Sequence, residues 1–225
     1  MNILIIDDHP LNVDSYTALL STIETIEKPI FYRAYNCKEA FETIQKLSSS
    51  NTPIDIAFLD VSLPAYEDQN IYSGEDIGKL LQQQCHNCKI IIISMHSEPV
   101  WVNRIIKKLN PNGFLSKNDI DYKGFSKIIK LINNDKNYYS KSIIEARKEF
   151  MFKNLDWDEH DSKILQLIAE GIKTKILPDY IPLSLSSIEK RKANLKKQLL
   201  FNGGSDKELI KAAKEMGLFD LPKTR

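Results

Sequence analysis

Four short apolar runs without polar alternation mark the first part of the chain, Ile3-Leu4-Ile5-Ile6, Ile56-Ala57-Phe58-Leu59, Ile90-Ile91-Ile92-Ile93 and Gly113-Phe114-Leu115-Ser116, and strands are expected near residues 2–6, 30–35, 54–59, 90–93 and 113–116. Such runs suit strands buried on both faces of a parallel sheet. Between them, apolar residues return at helical spacing. Leu11, Tyr16, Leu19, Leu20 and Ile23 form one stripe; Ala40, Phe41, Ile44 and Leu47 a second; Ile77, Leu80 and Leu81 a third. Trp101, Ile105, Ile106 and Leu109 form the fourth, with Pro99 placed for a first helical turn. Phe125, Ile128, Ile129 and Ile132 make the fifth. Five strand–helix units predict an α/β fold: a five-stranded, doubly wound parallel sheet over residues 1–133.

The pattern then changes. Asn133-Asn134-Asp135-Lys136-Asn137 is polar and turn-rich, and residues 134–153 read as a linker with a short amphipathic helix over 140–152. Strand signals stop from 154 to 225, where a small all-α domain is expected. Ile164, Leu165, Leu167 and Ile168 place a helix over 158–170, and Gly171 stands where it must end. A shorter helix follows near 174–181, then a basic one from about Ser186, with Ile188, Leu195 and Leu199 on its apolar side. Leu209, Ile210, Ala213 and Met216 predict a closing helix. Helix, turn, short helix, turn, basic helix is a helix-turn-helix plan, whose last helix enters the DNA major groove.

Charge sharpens this division. The net charge is only +1, but residues 1–133 hold 13 basic against 16 acidic residues and residues 134–225 hold 18 against 14. The first part would attract cations and the second phosphates. No apolar stretch approaches the roughly 20 residues that span a bilayer, so no membrane partner is expected. An odd number of cysteines and no charged-then-apolar leader fit a reducing cytoplasm. Cys85-His86-Asn87-Cys88 precedes a strand, whereas a redox pair opens a helix after one. Only Cys37 and His96 stand by as further metal ligands, so these cysteines read as packing residues. His160-Asp161 mimics a metal-hydrolase dipeptide without companion ligands.

Chemistry collects where the strands end. Asp7 and Asp8 follow the first run, Asp60 the third, Ser94 the fourth, and Lys117 the fifth. Open α/β sheets bind ligands at this carboxyl edge. Three neighbouring carboxylates call for a cation, and Mg²⁺, a hard ion seeking oxygen, suits them. A hydroxyl and an ammonium suit phosphate oxygens. The set is equipped to accept a phosphoryl group on a carboxylate.

On these residues, the first 133 positions resemble a response-regulator receiver of the CheY type, with a flavodoxin-like fold. The resemblance implies that Asp60 is the phospho-acceptor and that Asp7 and Asp8 hold Mg²⁺, Asp8 more directly, with the Ser62 backbone carbonyl completing the site. Ser94 corresponds to the switch hydroxyl, Phe114 to the switch aromatic and Lys117 to the family's lysine. Ser62 and His96 fall where the family tunes phosphoryl lifetime, and Pro64 also matches. One departure is visible: Gly74 comes about six residues late, after Ala65-Tyr66-Glu67-Asp68-Gln69-Asn70. The implied role is a phospho-accepting signalling protein rather than an enzyme.

The second part resembles the LuxR-type output domain of the NarL/FixJ group, through Leu165-x-Leu167-Ile168-Ala169-x-Gly171, Leu183-Ser184-x-Ser-Ser-Ile188 and Asn194-Leu195. Phosphate contacts are expected from Lys175, Lys190, Lys192, Lys196 and Lys197, and base reading from Lys190 and Arg191. Pro178 departs by falling inside the scaffold helix, and Glu189 by replacing a basic residue. The expected function is transcriptional control by a two-component system, with a sensor histidine kinase and double-stranded DNA as partners and a homodimer on phosphorylation. The alternative is a phospho-switched interaction module whose helix-turn-helix no longer binds DNA.

Overall fold

The structure, a computed structural model, describes residues 1–23, 26, 28–134, 136–154, 158–200, 203–215 and 218. The chain forms two compact units, residues 1–143 and 144–225.

The first unit carries a parallel sheet. Its strands are β1 (Asn2–Ile6), β2 (Ile30–Ala34), β3 (Ile56–Leu59), β4 (Lys89–Ser94), β5 (Gly113–Ser116) and β6 (Tyr138–Tyr139), in the order β2-β1-β3-β4-β5-β6. The connecting helices are α1 (Pro10–Ser21), α2 (Cys37–Ser49), α3 (Gly74–Gln84) and α4 (Pro99–Leu109), and α5 (Tyr122–Asn133) precedes β6. The 2-1-3-4-5 order is that of flavodoxin-like folds. The five expected strands are all present. The sixth lies in the stretch read as linker, where Tyr138 pairs with Gly113 and Tyr139 with Phe114. The Ser116 N–H donates to Ser140 Oγ at 3.0 Å, which binds the chain after β6 to the strand before it. Asp135, within the turn-rich stretch, lies outside the described residues.

One side of the sheet is closed by α1 and α5. Phe58 lies 5.7 Å from Phe125, which also stacks on Tyr16 at 6.1 Å. Leu11 departs from its expected stripe. It is 77% exposed, and Val13 points inward instead. At 100° per residue position 11 stands about 200° around α1 from Val13, on the face opposite the buried Val13, Tyr16 and Leu20.

The long loop between β3 and α3 folds on itself. Tyr66 and Ile71 form an antiparallel bridge around a short 3-10 turn, Glu67–Gln69, closed by Asn70 in the left-handed region at φ 54°. Tyr66 stands edge-on to Phe41 of α2 at 5.9 Å, beneath the Lys38 ammonium. The extra residues thus bulge outward, and Gly74 still meets the strand end. A Cβ there would lie 2.1 Å from the Asp60 carbonyl oxygen, so only glycine admits this approach.

In the second unit α7 (Glu159–Ala169), α8 (Leu185–Leu199) and α9 (Asp206–Glu215) surround a core of Ile164, Leu165, Leu177, Ile188, Leu195 and Leu209. The helix α6 (Lys141–Asn154) spans the division between units. Gly171, at φ +87°, ends α7 as expected. Met216, expected in the closing helix, lies outside the described residues. Between α7 and α8, Thr174–Asp179 is a 3-10 helix rather than an α-helix. Pro178 has no N–H to donate one turn back, and the turn is held around it by the Ile176 N–H to the Lys173 carbonyl and the Tyr180 and Ile181 N–H groups to the Leu177 carbonyl. Among the described residues no helix is long and apolar enough to cross a membrane.

Candidate functional site

Strand register assembles the pocket. Ile6 of β1 is level with Leu59 of β3, so Asp7 and Asp60 leave the sheet side by side. Ser94 of β4 is level with Ser116 of β5, which puts Lys117 one residue beyond the same edge. The Lys117 ammonium bridges the two carboxylates, 2.8 Å from Asp7 Oδ2 and 2.6 Å from Asp60 Oδ2. Both aspartates are buried. Burial alone would lower the Lys117 pKa, but its hydrogen bonds and charge contacts with Asp60 and Asp7 hold it above the ordinary lysine range.

Each carboxylate has a different set of partners. Asp7 also accepts from the His9 N–H at 3.0 Å and from Asn12 Nδ2 at 3.0 and 3.2 Å. Asp60 Oδ1 accepts from the Ser62 N–H at 2.9 Å. Asp8 is half-exposed and meets His9 Nδ1 at 2.7 Å. Ligating atoms of Asp7, Asp8 and His9 all lie within 4.8 Å of one another. Three carboxylates against one ammonium leave negative charge over, and their oxygens are the hard donors that Mg²⁺ prefers. The donor set fits the ion.

Ser94 is fully buried and its Oγ accepts from the His96 N–H at 3.1 Å. Phe114 is likewise buried, and an aromatic column covers it. Trp101 meets its ring edge-on at 5.8 Å, and the His96 ring lies 5.3 Å from Trp101.

The second unit divides its cations into two groups. Arg191 is committed within the unit: it meets Asp158 Oδ2 and Asp161 Oδ2 at 2.9 Å each, and Asp158 Oδ1 at 3.1 Å. Those aspartates form the capping box of α7, with Asp158 as N-cap. Burial raises the Asp161 carboxyl above its ordinary range, against the pull of Arg191. Lys192 donates to Thr174 Oγ1 at 2.7 Å and to Asp206 at 3.0 Å, and Lys196 meets Asp206 at 2.8 Å. Lys175, Lys190 and Lys197 are exposed, as is Lys173.

A profile of the family described as "Response regulator receiver domain" matches residues 3–129. The chain belongs to the response regulators. Relatives extend the similarity over both units. The transcriptional regulatory protein MctR of Rhizobium johnstonii is 23% identical over 88% of this chain and 87% of its own length. The fimbriae Z protein of Salmonella typhimurium is 22% identical over 86% and 88%. Among solved structures, the RcsB response regulator of Salmonella typhimurium is similar with a TM-score of 0.57, at 19% identity, over 95% of this chain and 98% of that one. An RcsB–DNA complex is similar with a TM-score of 0.56.

Two residues around the receiver pocket have no functional role by sequence reasoning. Asn12, five residues after Asp7, orients that carboxylate, and its place in the first turn of α1 is the only sequence signal for it. Tyr16 reads from sequence as core alone. Burial, reinforced by Asp7 and Asp60 against Lys117, pushes its hydroxyl pKa up to about 12. The Cys85–Cys88 pair behaves as packing. Both thiols are free, and burial raises both, Cys88 to about 12, whereas a reactive thiol needs a lowered value. His160-Asp161 belongs to the cap: the His160 N–H donates to Asp158 at 2.9 Å while Asp161 pairs with Arg191.

The two groups of cations separate experimentally. Arg191→Ala leaves the buried Asp161 without its guanidinium partner and should lower stability by about 1–3 kcal/mol, the range for leaving a buried acceptor unsatisfied. Lys190→Ala should stay within about 0.5 kcal/mol. Urea unfolding of the full chain measures both, and equal midpoints would contradict this division.

Proposed function

We propose that the chain is a two-component response regulator that takes a phosphoryl group onto Asp60 and thereby controls binding of double-stranded DNA by α8. The observation that carries the reading is the buried Asp60 carboxylate held by Lys117 beside Asp7. The first unit, with β6 in its sheet, acts as receiver and the second as DNA-binding output, in a protein that works in the cytoplasm.

A sensor histidine kinase supplies the group from a phosphohistidine. Asp60 Oδ attacks phosphorus, the new P–O bond replaces the P–N bond, and the imidazole leaves. Asp7, Asp8, Asp60 and the Ser62 backbone carbonyl hold Mg²⁺, which when bound offsets charge on the transferring group. Lys117 exchanges its contact with Asp60 Oδ2 for a phosphoryl oxygen. Ser94 turns its hydroxyl from the His96 N–H toward the phosphoryl group, and Phe114 follows into the space it leaves, carrying Trp101. Ser62 and His96, flanking the acceptor and the switch hydroxyl, set how long the group persists.

Asp60→Asn should abolish phosphoryl uptake from acetyl phosphate with Mg²⁺, measured by intact mass. Equal uptake by the variant would contradict the assignment.

On the output side Lys175, Lys190 and Lys197 carry phosphate contacts, with Lys192 and Lys196 joining once released from Asp206. Arg191 holds α8 to α7, so base reading falls first to Lys190. The RcsB structures include DNA complexes and dimers, and a phosphorylated homodimer on duplex is the assembly proposed here. A second reading, a phospho-switched interaction module without DNA binding, draws on Arg191, Lys192 and Lys196 being engaged within the unit. Salt dependence separates the two. Duplex affinity should fall steeply with salt, and replacing Lys175, Lys190 and Lys197 by Ala should reduce the slope by about 2–3, since each neutralised phosphate contributes roughly 0.9. No retention of genomic fragments by the phosphorylated protein would favour the second reading.

A further inference from the structure

The outward stripe of α8 has a definite composition. Ser186, Glu189, Lys190, Ala193, Asn194 and Lys197 are exposed, while Ile188, Leu195 and Leu199 are buried. At 100° per residue, Ser186, Ala193 and Lys197 run down the middle of the stripe, with Lys190 beside them. Glu189 lies at one margin and Asn194 at the other. Small side chains in the middle let the helix axis come close to a groove floor.

Glu189 is the acidic member of this face. It sits in the N-terminal half of α8, the part of a recognition helix that meets base edges. Its helical neighbours leave it alone. Lys192, three residues on, is turned to Thr174 and Asp206, and position 193 is alanine. Among the described residues no cation pairs with the Glu189 carboxylate.

We infer that Glu189 is a specificity-determining residue that reads cytosine in the major groove of the operator. This rests on the DNA-binding reading proposed above. An ionised carboxylate only accepts hydrogen bonds. Of the four bases, guanine and thymine offer it acceptors on the major-groove edge. Adenine offers an amino donor, but its N7 acceptor lies beside it and repels the second carboxylate oxygen. Cytosine presents the N4 amino group with no acceptor of its own beside it, which is the match for Glu. The neighbouring Lys190, free and on the same face, supplies the complementary donor for a guanine O6 and N7. A carboxylate and an ammonium on the same outward face therefore favour a C·G-containing half-site over an A·T-rich one.

Selection from a randomised duplex library with the full phosphorylated chain tests this, followed by affinities on the selected site. The wild type should enrich cytosine at one position of each half-site. Replacing that C·G pair should weaken binding roughly tenfold, within the range for one good base contact. Glu189→Gln, an exposed and nearly isosteric change, should lose the cytosine preference there and gain adenine, whose N6 and N7 suit a carboxamide. Lys190→Ala should weaken binding yet keep the cytosine preference. If Glu189→Gln selects the same bases as the wild type, the inference is wrong while DNA binding stands. Uniformly tighter binding by Glu189→Gln on every sequence would also overturn it, placing the carboxylate against a phosphate. Retention of no duplex by either protein would overturn the DNA-binding reading itself.

Discussion

Two buried carboxylates side by side repel strongly in a poorly polarisable interior, and the ammonium of Lys117 is what makes Asp7 and Asp60 tolerable together. Much of the first unit serves that contact. Four apolar strands in parallel register bring the ends of β1, β3 and β5 to one edge. Asn12 and the His9 N–H also donate to Asp7 and fix its orientation. Gly74 lets α3 close against the Asp60 backbone despite the longer loop before it. The same contact sets the chemistry, because an ammonium that already bridges two carboxylates lies next to the oxygen that would receive a phosphoryl group.

β1, β3, β4 and β5 are legible because each is an apolar run that leads into a charged or hydroxyl-bearing residue, whereas β2 carries Tyr32 and Arg33 within it and has no such mark. That single feature carries both the fold and the pocket. β6 escapes because Tyr138 and Tyr139 are only two residues in a polar stretch, too few to show a period. Apolarity alone puts Leu11 in the stripe, whereas a spacing of about 100° per residue sets it opposite the buried Val13, Tyr16 and Leu20. Asn12 and Tyr16 acquire their relation to the acidic group only when α1 is laid beside β1.

In the second unit the limits are different. Helical spacing places Arg191 on α8 but gives no view of Asp158 and Asp161, far off along the chain. The sequence does contain their signal, since Asp158-x-x-Asp161 before an apolar run is a capping pattern. Two carboxylates at one helix start invite a cation. Asp206 similarly gathers Lys192 and Lys196 at the start of α9. The density of positive charge on α8 is thus partly internal structure, and the outward face is a mixed one of Lys190, Lys197, Glu189 and small residues. Pro178 changes the scaffold less than its rule suggests, because a 3-10 helix preserves the turn that carries Leu177 into the core.

In the proposed function, one carboxylate at the sheet edge, Asp60, takes the phosphoryl group. Borohydride reduction of the phosphorylated chain, followed by peptide mass mapping, tests it most directly because acyl phosphates are reduced where they form. Modification confined to residue 60 is the predicted result. Modification at Asp7 or Asp8, or at no aspartate, would contradict the account.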